Sequence, residues 1–482
     1  MALCCANRRA LHARIAATLE AQFTDTAENQ PELLARHCTE AGLIEKAALL
    51  WGKAGQRSLA RSALIEAIAQ LTRALDQIVT LPATPGLRRE QITLQVALTT
   101  PLVHVKGYAA PETRAAAERA RLLIEQAETL GEPPDDPLLL FSVLYGFWVA
   151  SIVAFDGDVT RELAAEFLAL AEKQGAIVPL MIGHRALATS LLCTGDITEG
   201  REHYNQALAL YDPAAHRRLA TRFGQDVGVT ILSWRPLALW LLGYPEAALA
   251  DLEHALTNAR EIGHAATLML ALYVTGLTHI LCGNYAAANA QSDEVVPLAD
   301  EKGSTMWKAY GMLNQGWVFS LTEKAMDAVQ TITSGLTALR STGSTLWIPS
   351  CLAHLAPAYA ELGQFDDAWR CISEAMTLVE TTKETWFEAE VHRIAGEIAL
   401  KSPEPDAAKA ETYFQRALAV ARQQQSKSWE LRASMSLARL WRDQGKVREA
   451  RELLAPVYGW FTEGFDTLDL KEAKALLDEL AS

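Results

Sequence analysis

The sequence predicts an all-α protein, a superhelix (solenoid) of about ten helix pairs, and three observations carry that prediction. The first is a recurrence at about forty residues. Gly263-His-Ala-Ala-Thr, Gly303-Ser-Thr-Met-Trp307 and Gly343-Ser-Thr-Leu-Trp347 begin 40 residues apart, and Trp386 and Trp429 extend the tryptophan series by steps of 39 and 43. Self-similarity at such a period marks stacked repeats. The second is a frame of small residues. Leu355-Ala356-x-x-Tyr359-x-x-x-Gly363, followed by Ala368-x-x-x-Ile372-x-x-Ala375, repeats at three- and four-residue spacing on both sides of a glycine, as two facing helices require. The third is the absence of any β-rich run, while Pro and Gly gather between the helical stretches, as in Leu81-Pro-Ala-Thr-Pro-Gly86, Gly131-Glu-Pro-Pro-Asp135 and Ser402-Pro-Glu-Pro405.

Taken in order, residues 1–42 read as an N-terminal helical cap or junction. The repeat region, 43–462, opens with Trp51-x-x-Ala54-Gly55-x-x-Ser58 and Ala67-x-x-x-Leu71-x-x-Ala74. Weaker copies follow around Gly107 to Ala120 and Gly157 to Ala171. Then come Leu187-Ala188 with Gly195 and Tyr204, Gly243 with Leu252, Gly276 with Gly283, and Gly316 with Ile332. The last copies are Ala410 with Phe414 and Ala417, and Leu437-Ala438-x-x-Trp441-x-x-x-Gly445 with Ala450. Residues 463–482 read as a C-terminal capping helix. Gly363 suits the turn inside a pair because glycine accepts positive φ without steric cost. This is the tetratricopeptide (TPR) pattern, with units nearer 40 than the usual 34 residues. The extra residues lengthen the start of each first helix, where the tryptophans fall. A right-handed superhelix with a concave inner face is expected.

Composition narrows the function. Charged groups sum to −14, so a basic nucleic-acid binder is not expected. The seven cysteines are odd in number and none has zinc-ligand spacing, which fits a reducing cytoplasm. The uncharged runs Pro137–Phe155 and Ala265–Ser292 read as helices buried on several sides rather than as spans. The first is flanked by Asp135, Asp136, Asp156 and Asp158 instead of basic anchors.

Several strings add a resemblance. They are Arg9-Ala-Leu-His12-Ala-Arg-Ile-Ala16, Gln30-Pro-Glu-Leu-Leu-Ala-Arg36-His37, Glu40-Ala-Gly42 and Trp51-Gly-Lys-Ala-Gly55. Further ones are Lys106-Gly-Tyr-Ala-Ala-Pro-Glu112, Phe223-Gly-Gln-Asp226, Leu239-Trp-Leu-Leu-Gly-Tyr-Pro245 and Trp386-Phe-Glu-Ala-Glu-Val-His-Arg393. Together they resemble the C-terminal TPR arm of bacterial multidomain signalling ATPases and adenylate/guanylate cyclase-type proteins. The resemblance implies a sensor arm that restrains or releases an attached ATPase. The chain itself has no G-x-x-x-x-G-K-[ST] phosphate loop. Gly52-Lys53 and Gly445-Lys446 lack the upstream glycine and the following hydroxyl residue. The expectation is therefore a non-catalytic scaffold that binds a protein or peptide partner, or a small effector, and needs no cofactor. The alternative is a fragment of a cyclase or ATPase whose catalytic domains lie elsewhere.

Candidate binding residues follow from the repeat. Trp307, Trp347, Trp386 and Trp429 hold one equivalent position, with Lys308, Asn314, His354 and Arg393 on the same first helices. Two readings stand: each indole packs against the next unit, or the four line a groove. The densest polar cluster is Glu388, Glu390, His392, Arg393 and Glu397. Glu388 with His392, and Arg393 with Glu397, are i,i+4 pairs that read as salt-bridged helix surface. No metal site and no catalytic residue are expected, since neither H-E-x-x-H nor a nucleophile beside a base is present. Cys4-Cys5 reads as incidental.

Overall fold

The computed structural model describes residues 2–107, 110–132 and 136–481. Tyr108 and Ala109 of the Lys106–Glu112 string, Pro133 to Asp135 of the linker, and the side chains of Cys4 and Cys5 lie outside the described residues. Among the described residues every regular element is a helix. Ten pairs run in sequence from Ile44–Ala60 with Leu64–Ile78 to Lys427–Asp443 with Val447–Tyr458, and Leu468–Glu479 follows. The fold class is thus the all-α, TPR-like arrangement that the repeats predict.

The chain divides into two compact units. Residues up to 150, with 221–224 and 302–304, form one; the remainder forms the other. The repeat pattern is continuous through this division and gives no sign of it.

Helix boundaries follow local chemistry. The carboxylates of Asp156, Asp226 and Asp406 accept the backbone N–H groups of Val159, Val229 and Lys409 at helix starts, which satisfies donors the helix leaves orphaned. The helix Ala265–Leu281 is buried at every position except Leu268 and His279, which explains why it carries no charge. No helix among the described residues is long and apolar enough to cross a membrane.

Within the second unit, successive first helices touch one another. Val227–Leu241 packs on Ala265–Leu281, then Thr305–Leu321, Ile348–Glu361, Glu388–Lys401 and Lys427–Asp443 follow in turn. Successive second helices show no comparable contact among the described residues. The first helices therefore form the inner layer, and they curve far enough to meet themselves. The Val153 carbonyl accepts the N–H groups of Thr345 (2.9 Å) and Leu346 (3.1 Å), 192 and 193 residues on. The Cys193 carbonyl accepts those of Thr385 (3.0 Å) and Trp386 (3.3 Å). Ser426 donates to the Leu241 carbonyl (3.1 Å) and Arg432 to that of Leu281 (2.9 Å). Carbonyls left open at the ends of first helices are closed by the next turn of the coil.

Two glycines show how tight this meeting is. Gly243 has φ +90°, and a Cβ there would fall 2.5 Å from the Trp460 ring. Gly363 occupies the matching turn of a later pair with φ +76°, yet a Cβ would meet nothing within 4 Å. Both need glycine for the turn; Gly243 also needs it for the close approach.

Candidate functional site

The coil's return brings the aromatic residues of the inner layer together. Trp347 stacks on Trp234 (centroids 5.5 Å, 23° between planes) and meets Trp386 edge-on at 4.7 Å. Trp386 adjoins Phe387 (4.9 Å), Phe387 meets Trp429 edge-on (5.2 Å), and Trp429 meets Trp240 edge-on (4.8 Å). Such edge and offset contacts suit the ring quadrupole. Trp347, Trp386 and Trp429 are at most 1% exposed, and Trp307 is 5% exposed. None of the four offers a face to solvent. Trp307 stands apart from the other three, among Tyr273 (6.2 Å) and Tyr310 (5.9 Å).

A carboxylate sits inside this wall. Glu384 is 1% exposed and accepts the backbone N–H of Trp347 (3.1 Å) and the indole N–H of Trp386 (3.2 Å). It forms no ion pair among the described residues, and burial pushes its carboxyl up to about 8. The Trp347 backbone it holds is left-handed, φ +72°, a conformation costing roughly 1–2 kcal/mol for a residue with a side chain.

Beside the wall runs a strip of paired charge. Arg393 grips both oxygens of Glu390 (2.7 and 2.8 Å) and reaches Glu397 (3.4 Å) and Ser436 (3.3 Å). Ser436 donates to Glu397 at 2.7 Å. Arg432 binds Asp469 (2.9 Å), lies 3.6 Å from Glu390, and packs over Trp240 and Trp429. Burial alone would raise the Glu390 carboxyl; Arg393 and Arg432 outweigh it and hold the group below the usual range. Glu390 is sealed, whereas Glu397 keeps 35% of its side chain exposed, Arg393 21% and Arg432 17%. His354 lies near this strip, its ring tilted 34° against that of Trp317 with centroids 4.2 Å apart. Burial pushes it down to about 3, and its Nε2 has no hydrogen-bond partner.

The remaining expected residues lie elsewhere. Lys308 is exposed and pairs with Asp300 (2.7 Å), while Asn314 is buried and donates to the Tyr273 carbonyl (2.9 Å). The polar cluster of the ninth first helix, Glu388–Lys401, splits between two faces. Glu390, Arg393 and Glu397 join the inner strip. Glu388 and His392 (3.8 Å apart) border a cleft of about 310 Å³ with Lys383 and Arg416. Sequence reasoning missed Glu384, Arg432, Trp234 and Trp240. Trp234 and Trp240 fall outside the forty-residue series, and Glu384 looks like any acidic residue before a helix.

Little in the strip suits covalent chemistry. Cys193, Cys282 and Cys351 are buried free thiols whose burial raises them far from the thiolate form. Among the described residues no group of three His, Cys, Asp or Glu is placed to hold a metal ion. What the strip supplies is fixed donors and acceptors.

No protein-family model matches the chain. An uncharacterized protein of Rhizobium meliloti is 25% identical over 391 residues, covering 80% of this chain and 37% of its own length. The chain therefore spans little more than a third of that relative. Among solved structures, a Rap protein complexed with competence and sporulation factor superposes with a TM-score of 0.54 at 12% identity, over 78% of this chain and 98% of that one. That likeness shows the fold, a TPR-like helical-repeat superhelix. A signal transduction ATPase with numerous domains from Pyrococcus horikoshii, which carries a tetratricopeptide repeat sensor, gives 0.39 at 12% identity, over 86% of this chain and 54% of that one.

Proposed function

We propose that this chain is a non-catalytic binding arm of a larger signalling protein, holding a protein or peptide partner against the first-helix layer of its second unit. The observation that supports this reading is the charged strip. Arg393, Glu397 and Ser436 join two repeats, Arg432 and Asp469 extend the line, and part of each exposed side chain is open. A peptide needs donors and acceptors at fixed spacing, and a rigid aromatic wall beneath the strip keeps that spacing constant. In this reading Arg393 is a contact residue, while His354, 4% exposed, lies beneath the contact surface. The indoles serve as the wall under the contact surface. Signalling would follow from population shift, in which a partner that prefers one curvature of the coil draws the chain toward it.

The likeness to the arm of signalling ATPases and cyclases supports a place in a longer polypeptide, and so does the greater length of the Rhizobium meliloti relative. An in-frame phosphate-loop motif upstream in the DNA would move the catalytic function to the whole protein. The binding role itself is tested on a panel of acidic, basic and apolar decapeptides. Binding by one class, weakened in Glu397→Gln with an unchanged melting temperature, is the expected result. Binding by none, or binding indifferent to that change, refutes the strip.

A further inference from the structure

The strings near the N-terminus that carry the family resemblance have no part in the strip, yet the fold gathers them around one cleft. His12 comes from the first helix, Ala2–Gln22; Arg36, His37 and Glu40 come from Pro31–Ala41; Trp51 comes from Ile44–Ala60. The helix Leu64–Ile78 adds Arg73 and Asp76. The cleft they border measures about 640 Å³ and lies wholly within the first unit, a size suited to a small ligand.

Cations outnumber carboxylates in its lining by three to two. Arg8, Arg36 and Arg73 face Glu40 and Asp76 in a chain whose net charge is −14. Glu40 is already engaged by Arg8 at 2.7 Å. Arg36 is exposed and forms no ion pair among the described residues. Arg73 is held with its guanidinium 4.9 Å from the centre of the Trp51 ring. Trp51 is itself anchored by its indole N–H to Thr39 (3.1 Å). A stacked, anchored guanidinium loses less freedom on gripping an anion, and its planar fork matches a phosphate oxygen pair.

Between these cations, His12 and His37 share a hydrogen bond, Nδ1 to Nδ1 at 2.9 Å. One ring must donate and the other accept, so the pair is neutral or singly charged as it stands. Burial, then the neighbouring His12, holds His37 below the usual imidazole range. A dianion in the cleft would reverse that balance by favouring the charged rings.

We propose that this cleft binds the phosphate group of a small phosphomonoester. The proposal lies outside the peptide-binding reading and does not rest on it. Isothermal titration of the full chain with sulfate, inorganic phosphate and glycerol phosphate tests it. Saturable binding of one anion per chain is expected, weakened at least tenfold in Arg36→Gln/Arg73→Gln. Tighter binding of the ester than of inorganic phosphate identifies the small molecule as the source. Equal binding of the two replaces the ester with the free ion and overturns that part of the proposal. Sulfate keeps its charge from about pH 7.5 to 5.5, so its affinity should rise as His37 gains a proton, and His37→Gln should flatten that rise. If the double variant melts early because Trp51 loses its cover, Arg36→Gln alone carries the test. Absence of saturable binding by all three anions, or binding unchanged in Arg36→Gln, overturns the site.

Discussion

Glu384 makes the stability of the second unit depend on pH in an unusual direction. Its carboxyl titrates near 4.5 in an open chain and at about 8 in the folded interior. Between those values the unfolded chain has released a proton that the native state retains. Stability therefore falls as pH rises, by about 1.4 kcal/mol for each pH unit. Across the whole interval the loss amounts to roughly 5 kcal/mol, complete once the folded carboxyl ionises above about pH 8. Cys193, Cys351 and Tyr273 sense the same charge, but burial raises each of them clear of this window. Glu384→Gln preserves the shape and can still accept from Trp347 and Trp386, yet it cannot ionise. Chemical denaturation of both proteins at pH 5.5, 6.5 and 7.5 isolates the effect, because every other titrating group is common to the pair. The variant should gain on the natural chain by about 3 kcal/mol between the first and last of these pH values. Parallel stability curves would refute the reasoning, because they would mean that Glu384 is ionised, or solvated, in the folded state.

Three further outcomes follow from packing. Trp347→Ala removes an indole wedged between Trp234 and Trp386 and should cost about 3–5 kcal/mol, measured by urea denaturation; a loss below about 1 kcal/mol would argue for an open, adaptable wall. Arg432→Met leaves Glu390 and Asp469 short of a cation and should cost roughly 3–5 kcal/mol at neutral pH, with a smaller loss in Arg432→Lys. Gly243→Ala should lower the melting temperature well beyond Gly363→Ala, since both strain a left-handed turn but only the first drives a Cβ into Trp460. Equal shifts would show that the coil does not close there.

The repeat itself was readable because packing of a pair is a local matter. Tyr359, Gly363 and Ile372 lie within one unit, and three- and four-residue spacing is enough to place them. The tryptophan series promised one environment four times, and three of its members do join a single aromatic run. Trp307 does not, because Tyr273 and Tyr310 occupy its surroundings. What stayed hidden was how many pairs complete a turn. A forty-residue period describes each unit's contact with the next, and it says nothing of a meeting between Cys193 and Thr385. Arg432 and Trp240 owe their environment to that meeting. So does the contrast between Gly243 and Gly363, which look alike in sequence. The N-terminal cleft was half visible: its residues stood out as strings, but their convergence depends on how four helices pack.

The carbonyls of Val153 and Cys193, bonded to residues nearly two hundred positions further along, bear on how the protein is made. An open array of repeats has low contact order and can assemble or fray from any point, since each unit answers only to its neighbours. Here the first helices ending at Val153 and Cys193 are complete only after the chain beyond Leu346 and Trp386 has emerged and wound back. Until then their helix ends stay uncapped and the faces destined for the return turn stay bare. Hydrogen exchange should accordingly find the amides of Thr345, Leu346, Thr385 and Trp386 opening together rather than in chain order. A lesion near residue 153 would then be felt near residue 345 before it reaches the helices between them.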